Sequence, residues 1–198
     1  SGYIDMATGI ALLFNIKLPL NFNSPYKATG IIDFWQRWHI TLTSFLTNYI
    51  YTPLLRSFKN LNFFKSMVAT LIVFLIAGLW HGPSWLFVIF GAIHGIGLII
   101  NHIYRRFFNF KISTLISRVI TFLYINFSFV FFRSENLEDA LNILERMVGF
   151  GLSVNIDLLR LDIITNSLIA FFTSLLICFF LKNTNWLIEK LKLSKVLD

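Results

Sequence analysis

Four runs of apolar residues, each near the length of a bilayer-crossing helix, constrain this chain more than any single motif. They lie at residues 66–80, 85–103, 115–132 and 163–181. A helix needs roughly 20 apolar residues to cross the hydrocarbon core. Inside that core every backbone polar group must be bonded within the protein, which leaves α-helices or closed barrels. Uninterrupted runs of this length select helices over alternating strands. The fold class is therefore all-α, a polytopic transmembrane helical bundle. Of the 198 residues, 56% are apolar and 14% charged, whereas soluble domains carry about 25% charged residues. That balance excludes a disordered chain, a disulfide-stapled mini-protein and an ordinary soluble enzyme domain. The 23 phenylalanines accompany abundant Ile, Asn and Lys, a bias that codon usage explains without an aromatic function.

The net charge of +7 does not point to nucleic acid, because the basic residues lie between the apolar runs. Lys27, Arg37, Arg56, Lys59 and Lys65 precede the first run, with Asp33 as the opposing acid. Arg105, Arg106, Lys111 and Arg118 fall at the join of the second and third. Lys182, Lys190, Lys192 and Lys195 follow the fourth, against Glu189 and Asp198. Residues 133–162 instead carry Glu135, Glu138, Asp139, Glu145, Asp157 and Asp162 against Arg133, Arg146 and Arg160. The positive-inside rule places the basic loops in the cytoplasm and the acidic loop outside. The turn at residues 80–83 then faces outward.

The remaining segments read as follows. Residues 3–18 are apolar but contain Asp5, and they end a span or form a short helix stopped by Pro19. Residues 34–51 are too polar to span and predict an interfacial or re-entrant helix. Leu137, Leu141, Leu144 and Val148 share one helical face, which predicts an outer surface helix capped by Ser134. Cys178, in an apolar run, reads as a small buried hydrophobe. The second run begins directly after Trp80-His81-Gly82-Pro83, so two helices meet with almost no loop. No internal repeat or linker divides the chain, and the absence of an initiator Met or leader suggests a portion of a longer protein.

Ionisable groups at membrane depth are costly and mark function. His81 closes the first run, and His94 lies inside the second. Gly91 and Gly95 form a small-xxx-small pair that places His94 against protein, where its other role is an interhelical hydrogen bond. His39 lies in Asp33-Phe-Trp-Gln-Arg-Trp-His-Ile-Thr-Leu, where it also suits an aromatic belt. His102, beside Tyr104 and Arg105, reads as a headgroup contact. The histidines lack paired spacing and nearby carboxylates, so no metal site is expected. No Gly-x-Ser-x-Gly elbow or phosphate-binding glycine loop occurs in a fitting context. What remains is a neutral imidazole able to act as general base on a hydroxyl.

Several ordered stretches carry a resemblance. They are Tyr3-Ile-Asp-Met-Ala, Leu20-Asn-Phe-Asn-Ser-Pro-Tyr-Lys-Ala-Thr, the His39 stretch, Tyr49-Ile-Tyr-Thr-Pro-Leu, Gly78-Leu-Trp-His-Gly-Pro-Ser-Trp and Gly91-Ala-Ile-His-Gly, with a weaker match in Phe131-Phe-Arg-Ser-Glu-Asn. Together they resemble the C-terminal portion of a membrane-bound O-acyltransferase (MBOAT) domain, most like its bacterial alginate-acetylating branch. One departure is Leu55-Arg56-Ser57-Phe58-Lys59, where that family usually continues Gly-Gly-Asn-Arg.

The resemblance implies that residues 1–198 form one such portion, with N-terminal spans missing. It implies a multi-pass protein of the bacterial inner membrane that moves an acetyl group from a cytoplasmic thioester toward hydroxyls of an exported, alginate-like polysaccharide. The donor would be acetyl-CoA or an acyl carrier, and an extracytoplasmic acetyltransferase would be the partner. His81 would be the catalytic histidine and general base. His39 would orient or polarise the thioester carbonyl. Trp80, Gly82 and Trp85 would frame the turn, and Trp38 and His94 would support the site. Other readings are D-alanyl transfer to teichoic acid within the same family, and a transporter or channel with a histidine proton relay. The second is disfavoured because no repeat and no acid opposite His81 or His94 is seen in the apolar runs.

Overall fold

In a computed structural model, residues 2–110, 112–150 and 161–190 are described. Asp157 and Arg160 of the acidic loop, and Lys111, Lys192, Lys195 and Asp198, lie outside them. The described residues form helices and no strand: α1 (Gly2–Leu13), α2 (Ile31–Trp35), α3 (Ile40–Leu46), α4 (Thr52–Ser57), α5 (Phe63–His81), α6 (Trp85–Phe107), α7 (Thr114–Arg133), α8 (Leu137–Met147), α9 (Leu161–Phe180) and α10 (Thr184–Lys190). The expected all-α bundle is thus observed. Three helices, α5, α6 and α7, are long and apolar enough to cross a membrane. The fourth expected span, residues 163–181, is observed as α9, 20 residues long.

The central pair is α5 and α6. Lipid offers apolar side chains no less than a neighbouring helix does, so such helices associate through close packing and interhelical hydrogen bonds. Gly78 on α5 and Gly91 on α6 supply the close packing. A methyl group on Gly78 would run into the Phe87 carbonyl, and one on Gly91 into the Phe74 carbonyl. Gly95 extends the contact, since a Cβ there would sit 2.9 Å from Leu71 Cδ1. The connection is only residues 82–84. Gly82 turns the chain at φ 153°, and Ser84 caps α6 by accepting from the Leu86 amide at 3.3 Å.

Residues 30–57 form a re-entrant hairpin against this pair. The rising limb follows α6 toward its connection with α5. Ile32 N–H donates to Asn101 Oδ1, Trp35 reaches His94, and His39 reaches Trp80. The falling limb returns along α5, with Leu46 packed among Val73 and Ala77. The continuous amphipathic helix expected over 34–51 is therefore broken, because His39 is left-handed (φ 45°, ψ 53°) and separates α2 from α3. Below α3 the helix widens to a π turn over Thr47–Tyr51. Pro53 follows; it has no N–H to donate and its ring crowds the preceding turn.

Other expectations shift in detail. α1 stops before Pro19, because Asn15 adopts a left-handed cap: its amide donates to Leu12 O and that of Ile16 to Ala11 O, both at 2.9 Å. α8 is capped by Asn136, whose side chain accepts from the Asp139 amide at 2.9 Å. Ser134 instead ends α7, donating to Val130 O at 2.7 Å. Cys178 is exposed rather than buried, while its neighbour Phe179 meets Phe122 edge-on at 5.4 Å.

Gly91→Ala is expected to force α5 and α6 apart at a cost of about 1–3 kcal/mol. Ile96→Ala, on the exposed face of α6, is the control. Thermal unfolding of the two variants in detergent checks the difference.

Candidate active site

Four chain segments meet at the α5–α6 connection. His81 ends α5, and its ring is held by aromatic neighbours, with centroids 5.0 Å from Trp80, 5.9 Å from Phe90 and 5.0 Å from Phe132. His39 occupies the tip of the re-entrant hairpin. Its ring lies edge-on to the same Trp80 indole at 6.5 Å. The two histidines, 42 positions apart in sequence, thus share one indole and are both half-buried.

The glycine at position 82 has a local reason. Its φ favours glycine, and a Cβ would approach the Phe87 ring to 2.9 Å. The bend turns the chain straight after His81, so that imidazole sits at a helix end. Trp38 stacks on Phe34 at 5.5 Å and meets Phe22 edge-on at 4.9 Å, forming a wall beside His39. Trp85 stands apart: it is 82% exposed and borders a shallow depression with Leu79, Pro83, Ser84 and Val88.

His94 lies behind Phe90, whose ring is 4.5 Å from it. It is fully buried and tied on both nitrogens. An indole N–H only donates, so the 3.2 Å bond from Trp35 Nε1 makes His94 Nδ1 an acceptor. Nε2 therefore carries the proton and donates to Ser128 Oγ at 2.9 Å. Ser128 in turn donates to Ile125 O at 2.7 Å. One neutral imidazole so bolts α2, α6 and α7 together.

The His39 ring is fixed differently. Asn21 Oδ1 lies 3.2 Å from His39 Nδ1, 3.1 Å from the Thr41 amide and 2.8 Å from Thr41 Oγ1. Burial pushes the His39 imidazole below its usual pKa, opposed by a backbone hydrogen bond. His102 lines a cavity of about 320 Å3 with Trp35, Gln36, Thr43, Thr47 and Thr70, on the far side of Trp35 from the turn. Among the described residues no cluster of three metal-ligating side chains occurs. Asn21, Phe90 and Phe132 were not singled out by sequence reasoning. Asn21 stood inside a recognised stretch, but nothing in its spacing linked it to His39.

Sequence comparison decides the family. A family-wide model of MBOAT, the membrane-bound O-acyltransferase family, matches residues 1–135. The chain belongs to the membrane-bound O-acyltransferases. It is 52% identical over 155 residues to a peptidoglycan O-acetyltransferase of Helicobacter pylori, covering 76% of this chain and 29% of that protein. A probable alginate O-acetylase AlgI of Pseudomonas aeruginosa is 36% identical over 151 residues, covering 76% and 29%. A teichoic acid D-alanyltransferase of Streptococcus thermophilus is 35% identical over 112 residues, covering 54% and 27%. The chain thus spans under a third of the length of these relatives. His39, Trp80, His81, Gly82 and His94 lie inside the matched stretch, residues 1–135.

His94→Ala is expected to destabilise the protein by about 2–4 kcal/mol, since it leaves a cavity and an orphaned indole N–H. Thermal unfolding in detergent measures this. A second expectation concerns charge. Because the folded protein lowers the His39 pKa, the ring stays neutral as pH falls through 6.5 and charges only below it. The unfolded chain takes up that proton first, so this group's contribution to stability falls as pH drops below 6.5. Imidazole NMR titration of the membrane-embedded protein checks the order.

Proposed function

We propose that this chain carries the histidine site of an O-acetyltransferase that moves acetyl groups from a cytoplasmic thioester, acetyl-CoA or an acyl carrier, to hydroxyls of an extracytoplasmic glycan. The single observation behind this reading is the pairing of His39 and His81 across Trp80, at the tip of a hairpin packed against the α5–α6 pair. The 52% identity to a peptidoglycan O-acetyltransferase favours a peptidoglycan acceptor over the alginate-like one.

In this reading the acceptor hydroxyl lies beside His81. Its oxygen bonds to the acyl carbon, the C–S bond breaks, and its proton passes to the imidazole and then to the leaving thiolate. Trp80 and Phe132 exclude water around that ring, while Trp38, Gly82 and His94 hold the walls. The cavity near His102 supports a donor arriving from the side remote from the turn. The protein would reside in the bacterial inner membrane as a multi-pass subunit, with an extracytoplasmic acetyltransferase as partner.

General-base catalysis is worth about 100- to 10,000-fold. His81→Ala in the intact membrane-embedded protein is therefore expected to lower glycan-bound acetate at least about 100-fold. Acetate released from purified glycan by mild base measures it. Unchanged acetylation would remove His81 from the reaction, and D-alanine esters in place of acetate would move the protein to the teichoic acid branch.

A further inference from the structure

We propose that Asn21 is a positioning residue of the site: its side-chain oxygen holds the His39 proton on Nδ1 and leaves Nε2 as the nitrogen that accepts. The claim deepens the functional reading above and rests on it for the role of His39. The tautomer itself does not depend on that reading.

The argument starts from donors and acceptors. A backbone amide only donates, so the Asn21 atom 3.1 Å from the Thr41 amide must be the carbonyl oxygen rather than the amide nitrogen. The same oxygen lies 2.8 Å from Thr41 Oγ1 and 3.2 Å from His39 Nδ1. An amide oxygen cannot donate, so Nδ1 carries a hydrogen. In the neutral ring the proton is then on Nδ1, and Nε2 keeps its lone pair.

The backbone holds Asn21 in place. Ile40 N–H donates to Asn21 O at 3.0 Å, and Asn23 N–H donates to Arg37 O at 2.9 Å. These bonds zip residues 21–23 onto the hairpin tip on both sides of His39. They also secure the left-handed conformation of His39, which a side chain rarely adopts without such support. The titratable groups near His39 and Asn21 are His81, across Trp80, Arg37 on its own limb, whose charge is paired with Asp33 at 2.7 Å, and Asp5, which lines a small pocket with Asn21 and accepts from Thr184 Oγ1 at 3.3 Å.

This geometry defines what His39 does. A neutral ring with a bare Nε2 has no hydrogen there to place on a thioester carbonyl. It takes a hydrogen bond from a hydroxyl of the acceptor glycan other than the one whose proton passes to His81. Its part is to hold the acceptor by accepting a hydrogen bond rather than to polarise the carbonyl, while the reacting proton passes to His81.

The test uses the intact protein in native membranes, with glycan acetylation followed against pH. Asn21→Ala is expected to lower kcat about 10- to 100-fold with little change in KM, because it lets the ring rotate and change tautomer. In a His39→Ala background the same substitution is expected to cost almost nothing. Asn21→Asp keeps the acceptor oxygen and adds a negative charge beside His39, which favours the protonated ring. The acid limb of its kcat profile is therefore expected to move to higher pH by about one unit, with activity recovered above it. It also stands in where Asn21→Ala fails to fold. Nitrogen-15 NMR of His39 in bilayers is expected to show a protonated Nδ1 and a bare Nε2. An Nε2–H tautomer in the native protein, an equal cost of Asn21→Ala with and without His39, or an unmoved acid limb in Asn21→Asp would each overturn the proposal. Full activity in His39→Ala would instead sink the functional role of His39, and the NMR result would still decide the tautomer.

Discussion

The contact between Gly78 and Gly91 is the constraint on which the rest of the arrangement depends. Apolar helices in lipid gain nothing from hiding oil from water, so their association rests on how closely their backbones approach. Here each glycine faces a carbonyl or glycine of the other helix, with no room for a methyl group. That approach permits a connection of only residues 82–84, and it brings His81 to the end of α5 with Phe87 and Phe90 beside it. Because α5 and α6 are held as one unit, the hairpin at 30–57 has a fixed surface to climb and descend. The two histidines meet only because both the turn and the hairpin tip are referred to that surface.

The same residue type serves two ends. His94 has both ring nitrogens bonded inside the protein, to Trp35 and Ser128, and it is fully buried. A ring so committed has no nitrogen left for a substrate, and its contribution is to join three elements where lipid supplies no other polar partner. His39 has one nitrogen committed, to Asn21, and is only half-buried. His81 is oriented by rings. The number of nitrogens already occupied separates His94 from the two histidines proposed to react more sharply than membrane depth does.

Much of this was legible in the chain itself. Helix-length apolar runs gave α5, α6, α7 and α9 to within about a turn, because hydrocarbon thickness fixes their length. The glycines around His94 placed it against protein correctly, since small residues are needed where helices approach. What stayed hidden has a common cause. The break at His39 is a backbone event with no glycine or proline to announce it, and it exists because Asn21, 18 positions earlier, bonds to it. The Asn136 cap was displaced in expectation to Ser134 because both residue types cap helices and only geometry tells which amide is in reach. Cys178 was placed inside from its apolar neighbours, yet apolar surroundings in a membrane protein describe a lipid-facing surface equally well.

The left-handed turn at His39 also explains why the hairpin tip is built from polar side chains at all. A left-handed non-glycine residue costs of order 1–3 kcal/mol, and a glycine there would remove the cost together with the imidazole. The chain keeps the imidazole and offsets the strain with bonds accepted by one asparagine: two from Thr41, one from His39 and, at its backbone carbonyl, one from Ile40. Each of those bonds sits in a partly buried place where an unmet amide would itself be costly. Strain, tautomer and loop path therefore have a single origin. A substitution that relieves the strain without an acceptor at position 21 gains backbone freedom and loses the orientation of the ring, which is the property an acid–base group in such a site requires.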